Sequence, residues 1–399
     1  MNIFMKVGLS YLVLIFTLFI TTSNGATPIS PAGRSYSCSV TINNKLYVFG
    51  GDPFGIIGTT QAIYLDISLI GTPNPWFLLT DIPTSVSAAN AVFNGNNTVF
   101  LINYSTVYAY NISNNQWYPT DINGIIPQSR TQATAVIDKN GMIWYFGGTN
   151  VTTNTSFNDI NYFDTITYSW SVGSTVNAPT TRFNMISIFL PSREILYIGG
   201  VDGSTRRYID MAQGRELFTA ILAQDGTIII YGGNNIKNSP TPTMAKLNTN
   251  TSPYTWTSNE ISSDAPQYLT GHVAATNGTH MILALGATSN NGIFDLTDKY
   301  TIINSLNYNI YTLNIQTNVW SVNSTTHKSV TSPTSSNTPN GKNIDANIGI
   351  IVVVIIAVIL VIIAGVLAFV FYRKCKKNNK DKEVKIIRIS GSNDNEQPQ

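Results

Sequence analysis

One phrase recurs along the chain. An apolar, aromatic run ends in a pair of glycines, and a tryptophan follows downstream. Leu46-Tyr47-Val48-Phe49-Gly50-Gly51 precedes Trp76, Ile143-Trp144-Tyr145-Phe146-Gly147-Gly148 precedes Trp170, and Ile228-Ile229-Ile230-Tyr231-Gly232-Gly233 precedes Trp256. Leu196-Tyr197-Ile198-Gly199-Gly200 carries the first half of the phrase without the tryptophan. Two weaker copies complete the series: Val99-Phe100-Leu101-Ile102-Asn103 with Trp117, and Met281-Ile282-Leu283-Ala284-Leu285-Gly286 with Trp320. The runs end at 51, 103, 148, 200, 233 and 286, in steps of 52, 45, 52, 33 and 53.

A period near fifty residues with four short strands per repeat is the signature of a β-propeller. A strand buried between two neighbouring blades reads as a continuous apolar run rather than an alternation. Glycine after it permits positive φ and close backbone approach. Each later tryptophan can bury about 150–250 Å² between blades. Between them lies a third strand that ends in an acidic or amide turn, such as Ile63-Tyr64-Leu65-Asp66 or Asn161-Tyr162-Phe163-Asp164. The expected fold is therefore all-β, a propeller of about six four-stranded blades over 26–322. The short step of 33 predicts that the fourth repeat lacks its outer strand.

These residues resemble the kelch repeat. The resemblance rests on the glycine pairs Gly50-Gly51, Gly147-Gly148, Gly199-Gly200 and Gly232-Gly233. The aromatic pairs Tyr64/Trp76, Tyr108/Trp117, Tyr162/Trp170 and Tyr311/Trp320 complete it. Arg34, Arg130 and Arg182 open repeats one, three and four, as a basic residue often does in this family. Asn103 departs from the pattern by replacing glycine in repeat two.

The two ends of the chain lie outside this pattern. Residues 1–25 combine Lys6, an apolar run from Val7 to Ile20 and small residues at Ser23-Asn24-Gly25-Ala26, which reads as a cleaved signal peptide. Residues 346–372 form an uncharged stretch dominated by Ile and Val; as a helix its 27 residues span about 40 Å. That exceeds the roughly 30 Å hydrocarbon core, so one transmembrane helix is expected here. The basic run Arg373-Lys374-Cys375-Lys376-Lys377 marks residues 373–399 as a cytoplasmic tail. Residues 323–345, rich in Ser, Thr, Pro and Asn, read as a stalk. The expectation is a single-pass type I membrane protein with its propeller outside, at the plasma membrane.

Acceptor triplets for N-glycosylation start at Asn96, Asn103, Asn111, Asn150, Asn154, Asn250, Asn277 and Asn323, all on the side expected to lie outside. The two cysteines, Cys38 and Cys375, fall on opposite sides of the membrane and cannot pair. Cys38 reads as a buried strand thiol; Cys375, among lysines beside the membrane, is the palmitoylation candidate. The outer region from Ala26 to Asp345 holds 14 Lys/Arg and 17 Asp/Glu, with no basic stripe for a nucleic acid.

No catalytic constellation stands out, so no enzyme activity and no cofactor are expected. The kelch-type superfamily also contains fungal galactose oxidases, and the resemblance therefore implies one alternative: a membrane-anchored copper enzyme acting on carbohydrate. That chemistry needs two histidine ligands, tyrosine ligands and a cysteine crosslinked to tyrosine. His272 and His280, on adjacent strands around Asn277-Gly278, are the histidines that could supply it. A receptor signalling through its short tail is a further alternative. The loops after the glycine pairs are polar inserts in which Phe54 and Phe157 stand as candidate binding anchors. The leading expectation is recognition or adhesion, with an extracellular protein or glycan as partner.

Overall fold

The structure is a computed structural model, and it describes residues 27–53, 58–73, 75–150, 152–205, 207, 214–235, 240–258, 262–288, 306–323 and 373. The stretches expected to form a signal peptide (1–25) and a transmembrane helix (346–372) lie outside the described residues, as do Cys375 and Phe54. The chain divides into two compact units, 1–328 and 329–399; Arg373 alone is described in the second, in helical conformation. Among the described residues no helix is long and apolar enough to cross a membrane.

Residues 27–323 form antiparallel sheets whose strands run outward in chain order. In repeat one, Cys38–Ile42 is innermost, followed by Lys45–Phe49, Ala62–Asp66 and Trp76–Leu78. Repeat two runs from Asn90–Phe93 through Thr98–Asn103 and Thr106–Asn111 to Gln116–Tyr118. Repeat three uses Thr134–Ile137, Met142–Phe146, Ile160–Asp164 and Ser169–Val172. Repeat five uses Thr219–Leu222, Thr227–Tyr231, Met244–Asn248 and Thr255–Thr257, and repeat six Val273–Thr276, His280–Ala284, Ile310–Asn314 and Trp320–Asn323.

The expected six four-stranded blades become five. Among the described residues repeat four contributes the ribbon Ile186–Phe189 with Ile195–Ile198 and the short pair Arg182–Phe183 with Val201–Asp202, rather than a four-stranded blade.

The cores lie in the seams. Trp76 of repeat one packs with Val273, Ile282 and Ile310 of repeat six. Trp117 lies edge-on to Phe49 of repeat one at 5.7 Å, Trp170 shares a cluster with Phe100 and Ile102 of repeat two, and Trp320 sits 4.9 Å from Tyr231 of repeat five. Each of these tryptophans thus leans on the preceding repeat. Trp256 of repeat five is the exception: it is 37% exposed.

The glycine pair has a specific task at the seam. Gly50 (φ 64°) approaches repeat two so closely that a β-carbon would lie 2.3 Å from the Val86 carbonyl oxygen. The Gly51 N–H then donates to that same carbonyl at 2.9 Å. Equivalent bonds run from Gly148 to Arg182 (2.8 Å), Gly200 to Arg215 (3.0 Å), Gly233 to Leu269 (2.9 Å) and Gly286 to Arg34 (2.7 Å). The last of these closes the ring. Among the described residues no strand is exchanged across that seam; Pro28–Ile29 adds a fifth strand to the outer edge of repeat one. Asn103 departs for a structural reason. Its strand turns directly at Tyr104 (φ 59°) into Thr106–Asn111 and makes no excursion toward repeat three.

Gly50→Ala tests the seam. It forces a side chain into a left-handed backbone (φ 64°), a penalty of about 1–2 kcal/mol. Its β-carbon would also lie 2.3 Å from the Val86 carbonyl oxygen of repeat two. Gly95→Ala, at φ 79° with nothing within 4 Å, incurs the backbone term alone. Denaturant midpoints should show Gly50→Ala clearly the more destabilised; equal losses would mean that the seam contact contributes nothing.

Candidate functional site

The second strands end, and the first strands begin, on one face of the ring. Two residues after each of Arg34, Val86, Arg130, Arg182, Arg215 and Leu269 stands a residue with left-handed backbone: Tyr36, Ala88, Gln132, Asn184, Leu217 and Gly271, with φ between 51° and 59°. Asparagine and glycine tolerate this geometry; leucine and tyrosine adopt it here against their preference. Hydrogen bonds from Ala88 N to Tyr36 O (2.9 Å), Asn184 N to Gln132 O (2.9 Å) and Gly271 N to Leu217 O (2.8 Å) tie these turns pairwise around the channel. They ring a cavity of about 270 Å³ whose wall below is built of small side chains such as Ser39, Ala91, Ala135 and Ser187.

The polar equipment of this cavity is largely neutral. Burial, and then the charges of Glu216 and Asp52, push the Tyr36 phenol above its usual range, so it is a hydroxyl at any physiological pH. Asn184 donates its amide to the Glu216 carboxylate at 2.6 Å. Gln132 completes the set at the mouth. These groups can hydrogen-bond hydroxyls, amides and carbonyls.

Buried arginines fix this face from behind. Arg34, Arg130 and Arg215 are almost fully buried, and each donates Nη1 to the first glycine carbonyl of its own repeat: Gly50 (3.4 Å), Gly147 (3.3 Å) and Gly232 (3.1 Å). Arg34 also binds Gln61; Arg130 forms an ion pair with Asp159, whose second oxygen accepts from Nη2 at 2.8 Å. Desolvation works against the Asp159 charge, but its bonds to Arg130 and Asn161 outweigh this and hold it below the usual carboxylate range. Arg215 instead donates to the carbonyls of Pro242 (2.7 Å) and Thr243 (3.1 Å). Arg34 and Arg130 were legible as repeat-opening residues. Arg215 was missed, although it stands at the same distance before its glycine pair: each of the three precedes its first glycine by 16 or 17 residues.

Phe157 is half-buried, and its ring lies 3.9 Å from the Arg130 guanidinium. Among the glycosylation candidates, Asn96, Asn154, Asn250 and Asn277 are exposed, and Asn111, Asn150 and Asn323 half-buried. Asn103 is 7% exposed within its strand. Cys38 is buried, with its thiol pushed up to about 12 by burial and its Sγ 3.6 Å from the Phe49 carbonyl oxygen.

The copper alternative does not fit. Val273 pairs with Ala284 and Thr276 with Met281, so His272 and His280 sit at opposite ends of their hairpin. At ~3.3 Å per residue they are separated by several residues' rise and cannot share an ion. His272 is buried, with Nε2 2.7 Å from Thr219 Oγ1 and Nδ1 unpaired, and His280 Nδ1 lies 2.9 Å from Thr279 Oγ1. Among the described residues no cluster of metal-ligating side chains occurs.

The fold is thus a kelch-type β-propeller. Residues 83–213, about a third of the chain, match the KLHDC2/KLHL20/DRC7 Kelch-repeats domain. The solved structure titled "Structure of YjhT" superposes with a TM-score of 0.55 at 13% identity, covering 75% of this chain and 100% of that one; at such identity the likeness concerns the fold alone. No curated protein matches the chain.

Burial lowers the His272 pKa from 6.5 to about 3. The folded protein therefore keeps this ring neutral, while the unfolded chain takes up a proton as pH falls below 6.5. The stability is full above the unfolded value and declines through the window between 6.5 and about 3, with a limiting slope of ~1.4 kcal/mol per pH unit. Unfolding midpoints measured from pH 6.5 to 4.5 should fall in the native protein and flatten in His272→Gln; parallel curves would refute the assignment.

Proposed function

We infer that this chain is a single-pass type I membrane glycoprotein whose outer propeller recognises a protein or glycan through its channel face. A kelch-type propeller suits protein binding or recognition, and the supporting observation is the cavity ringed by Tyr36, Gln132 and Asn184. Hydroxyl and amide groups held on rigid turns favour ligands rich in hydroxyls or peptide groups, since a fixed donor set loses little entropy on binding. Placement at the cell surface rests on the sequence: the apolar segment 346–372, the basic tail after it and the leader 1–25.

Two experiments test this reading. On cells displaying the full chain, Gln132→Ala with Asn184→Ala should weaken ligand capture from a glycan or receptor-ectodomain panel by tenfold or more, equal to ~1.4 kcal/mol. Ile166→Ser, at an exposed turn remote from the channel lining, should leave capture unchanged. Enzymatic deglycosylation should lower the apparent mass of the protein. Asn154→Gln and Asn277→Gln should each remove one glycan, and Asn103→Gln none. A chain whose mass is untouched by deglycosylation, with its propeller labelled only by cytosolic reagents, would overturn the topology.

A further inference from the structure

Asparagine followed by glycine occurs four times among the described residues, at Asn94-Gly95, Asn123-Gly124, Asn140-Gly141 and Asn277-Gly278. The pair has a chemistry of its own, because glycine lacks the side chain that would keep its main-chain nitrogen away from the preceding carboxamide. As sequence the four are alike. The fold separates them in two respects that decide reactivity: whether the carboxamide is free to swing, and whether the glycine N–H is already engaged.

Three of the four are held. Asn94 Oδ1 accepts from the backbone N–H groups of Asn96 (3.0 Å), Asn97 (3.3 Å) and Thr98 (3.1 Å). Asn277 Oδ1 accepts from Thr279 N (3.2 Å), Thr279 Oγ1 (3.1 Å) and His280 N (2.8 Å), and Gly278 N donates to Thr276 Oγ1 at 3.0 Å. At Asn140 the glycine is the anchored partner: Gly141 N donates to the Asp138 carbonyl at 3.1 Å. Asn123-Gly124 is restrained in neither way. Both residues are exposed, at the outer edge of repeat three, where they run parallel to Ser169 and Trp170. The bonds that pin this strap lie on either side of the reactive nitrogen: Asn123 N to Tyr168 O (3.1 Å) and Ile125 N to Trp170 O (2.8 Å). The Gly124 N–H between them meets no acceptor among the described residues. One long bond ties the Asn123 carboxamide, from Nδ2 to Thr167 O at 3.3 Å.

We propose that Asn123 is a site of spontaneous covalent modification, at which the Gly124 main-chain nitrogen attacks the Asn123 carboxamide. The nitrogen gives up its proton and bonds to Cγ. The Cγ–Nδ2 bond breaks, ammonia leaves with that proton, and a succinimide ring joins the two residues. Water is the co-reactant that opens the ring. Addition at Cγ yields aspartate; addition at the main-chain carbonyl yields isoaspartate, in which the chain runs through the former side chain and gains a methylene. Nothing is oxidised or reduced. The extra methylene falls between Asn123 N and Ile125 N, so these two groups lose their register with Tyr168 O and Trp170 O. It also shifts Gly124, which lies so close to the neighbouring strand that a β-carbon there would be 2.2 Å from the Trp170 carbonyl oxygen. Trp170 is the buried indole of the seam with repeat two. Modification therefore frees the strap and loosens that seam, irreversibly and at a rate set by the fold. The site lies on the outer edge of the ring and does not depend on the channel-face reading.

The test incubates the full chain in detergent at mildly basic pH and follows each asparagine by peptide mass mapping, with enzymatic methylation of isoaspartate as a second readout. Asn123 should convert about tenfold or more faster than Asn94 and Asn140, a difference of ~1.4 kcal/mol in barrier, and its product should include isoaspartate. Asn277, itself a glycosylation acceptor, is left out of the ranking. In concentrated denaturant the three rates should converge, because hydrogen bonds rather than sequence rank them. After conversion, amide hydrogen exchange at Ile125 should quicken and the denaturant midpoint should fall. Asn123→Asp, which adds the charge without the methylene, should leave exchange at Ile125 near the native rate, and Asn123→Gln should abolish the modification. The proposal is overturned if Asn123 in the folded chain converts no faster than Asn94, if its product is aspartate alone, or if the same ranking persists in denaturant. Unchanged exchange at Ile125 in fully converted protein would overturn it equally.

Discussion

One recurring backbone hydrogen bond, present at five of the six junctions between repeats, organises this molecule. The second residue of each glycine pair turns its N–H across to the next repeat, and the same geometry turns the first glycine's carbonyl inward, away from water. A buried carbonyl needs a donor, because leaving it unpaired costs about 1–3 kcal/mol. Arg34, Arg130 and Arg215 provide that donor in repeats one, three and five. Repeat six has Leu269 in place of the arginine, and there Asn307 Nδ2 takes over, reaching the Leu285 carbonyl at 2.9 Å. Repeat two has Val86 at that place and Asn103 in place of the glycine; its left-handed residue is Tyr104, whose carbonyl accepts from the Tyr145 hydroxyl of repeat three at 2.9 Å. The arginine and the glycine are thus two parts of one device.

Much of this was legible. The apolar runs located the second strands, and Trp76, Trp170 and Trp320 marked seams because an indole has few other ways to be buried in a thin sheet. The blade count was less legible: the step of 33 showed that repeat four was short but not that the described strands would make five blades and a ribbon. Trp256 misled because the burial of such an indole depends on a neighbouring repeat as well as on its own. The channel face was harder still. The left-handed residues Tyr36, Ala88, Gln132, Asn184, Leu217 and Gly271 share a backbone geometry but no side-chain type, so no composition signal marks them. His272 and His280 looked close because a hairpin joins them, yet antiparallel register places them at opposite ends.

Ring closure and blade completeness prove to be separable. The ribbon of repeat four makes both of its seam contacts from its inner part. Gly148 reaches Arg182 on one side, and Gly200 reaches Arg215 on the other. Leu190 and Ile198 join Phe218, Ile228 and Ile230 in a shared core, and Phe146 meets Tyr197 at 4.6 Å. Two strands are therefore enough to carry the ring past this point. The outer strands of a blade add burial, at ~25 cal/mol for each Å² of apolar surface covered, whereas the seam bonds come from the inner strands and the turns between them. A ring held by its inner bonds therefore tolerates blades of unequal width.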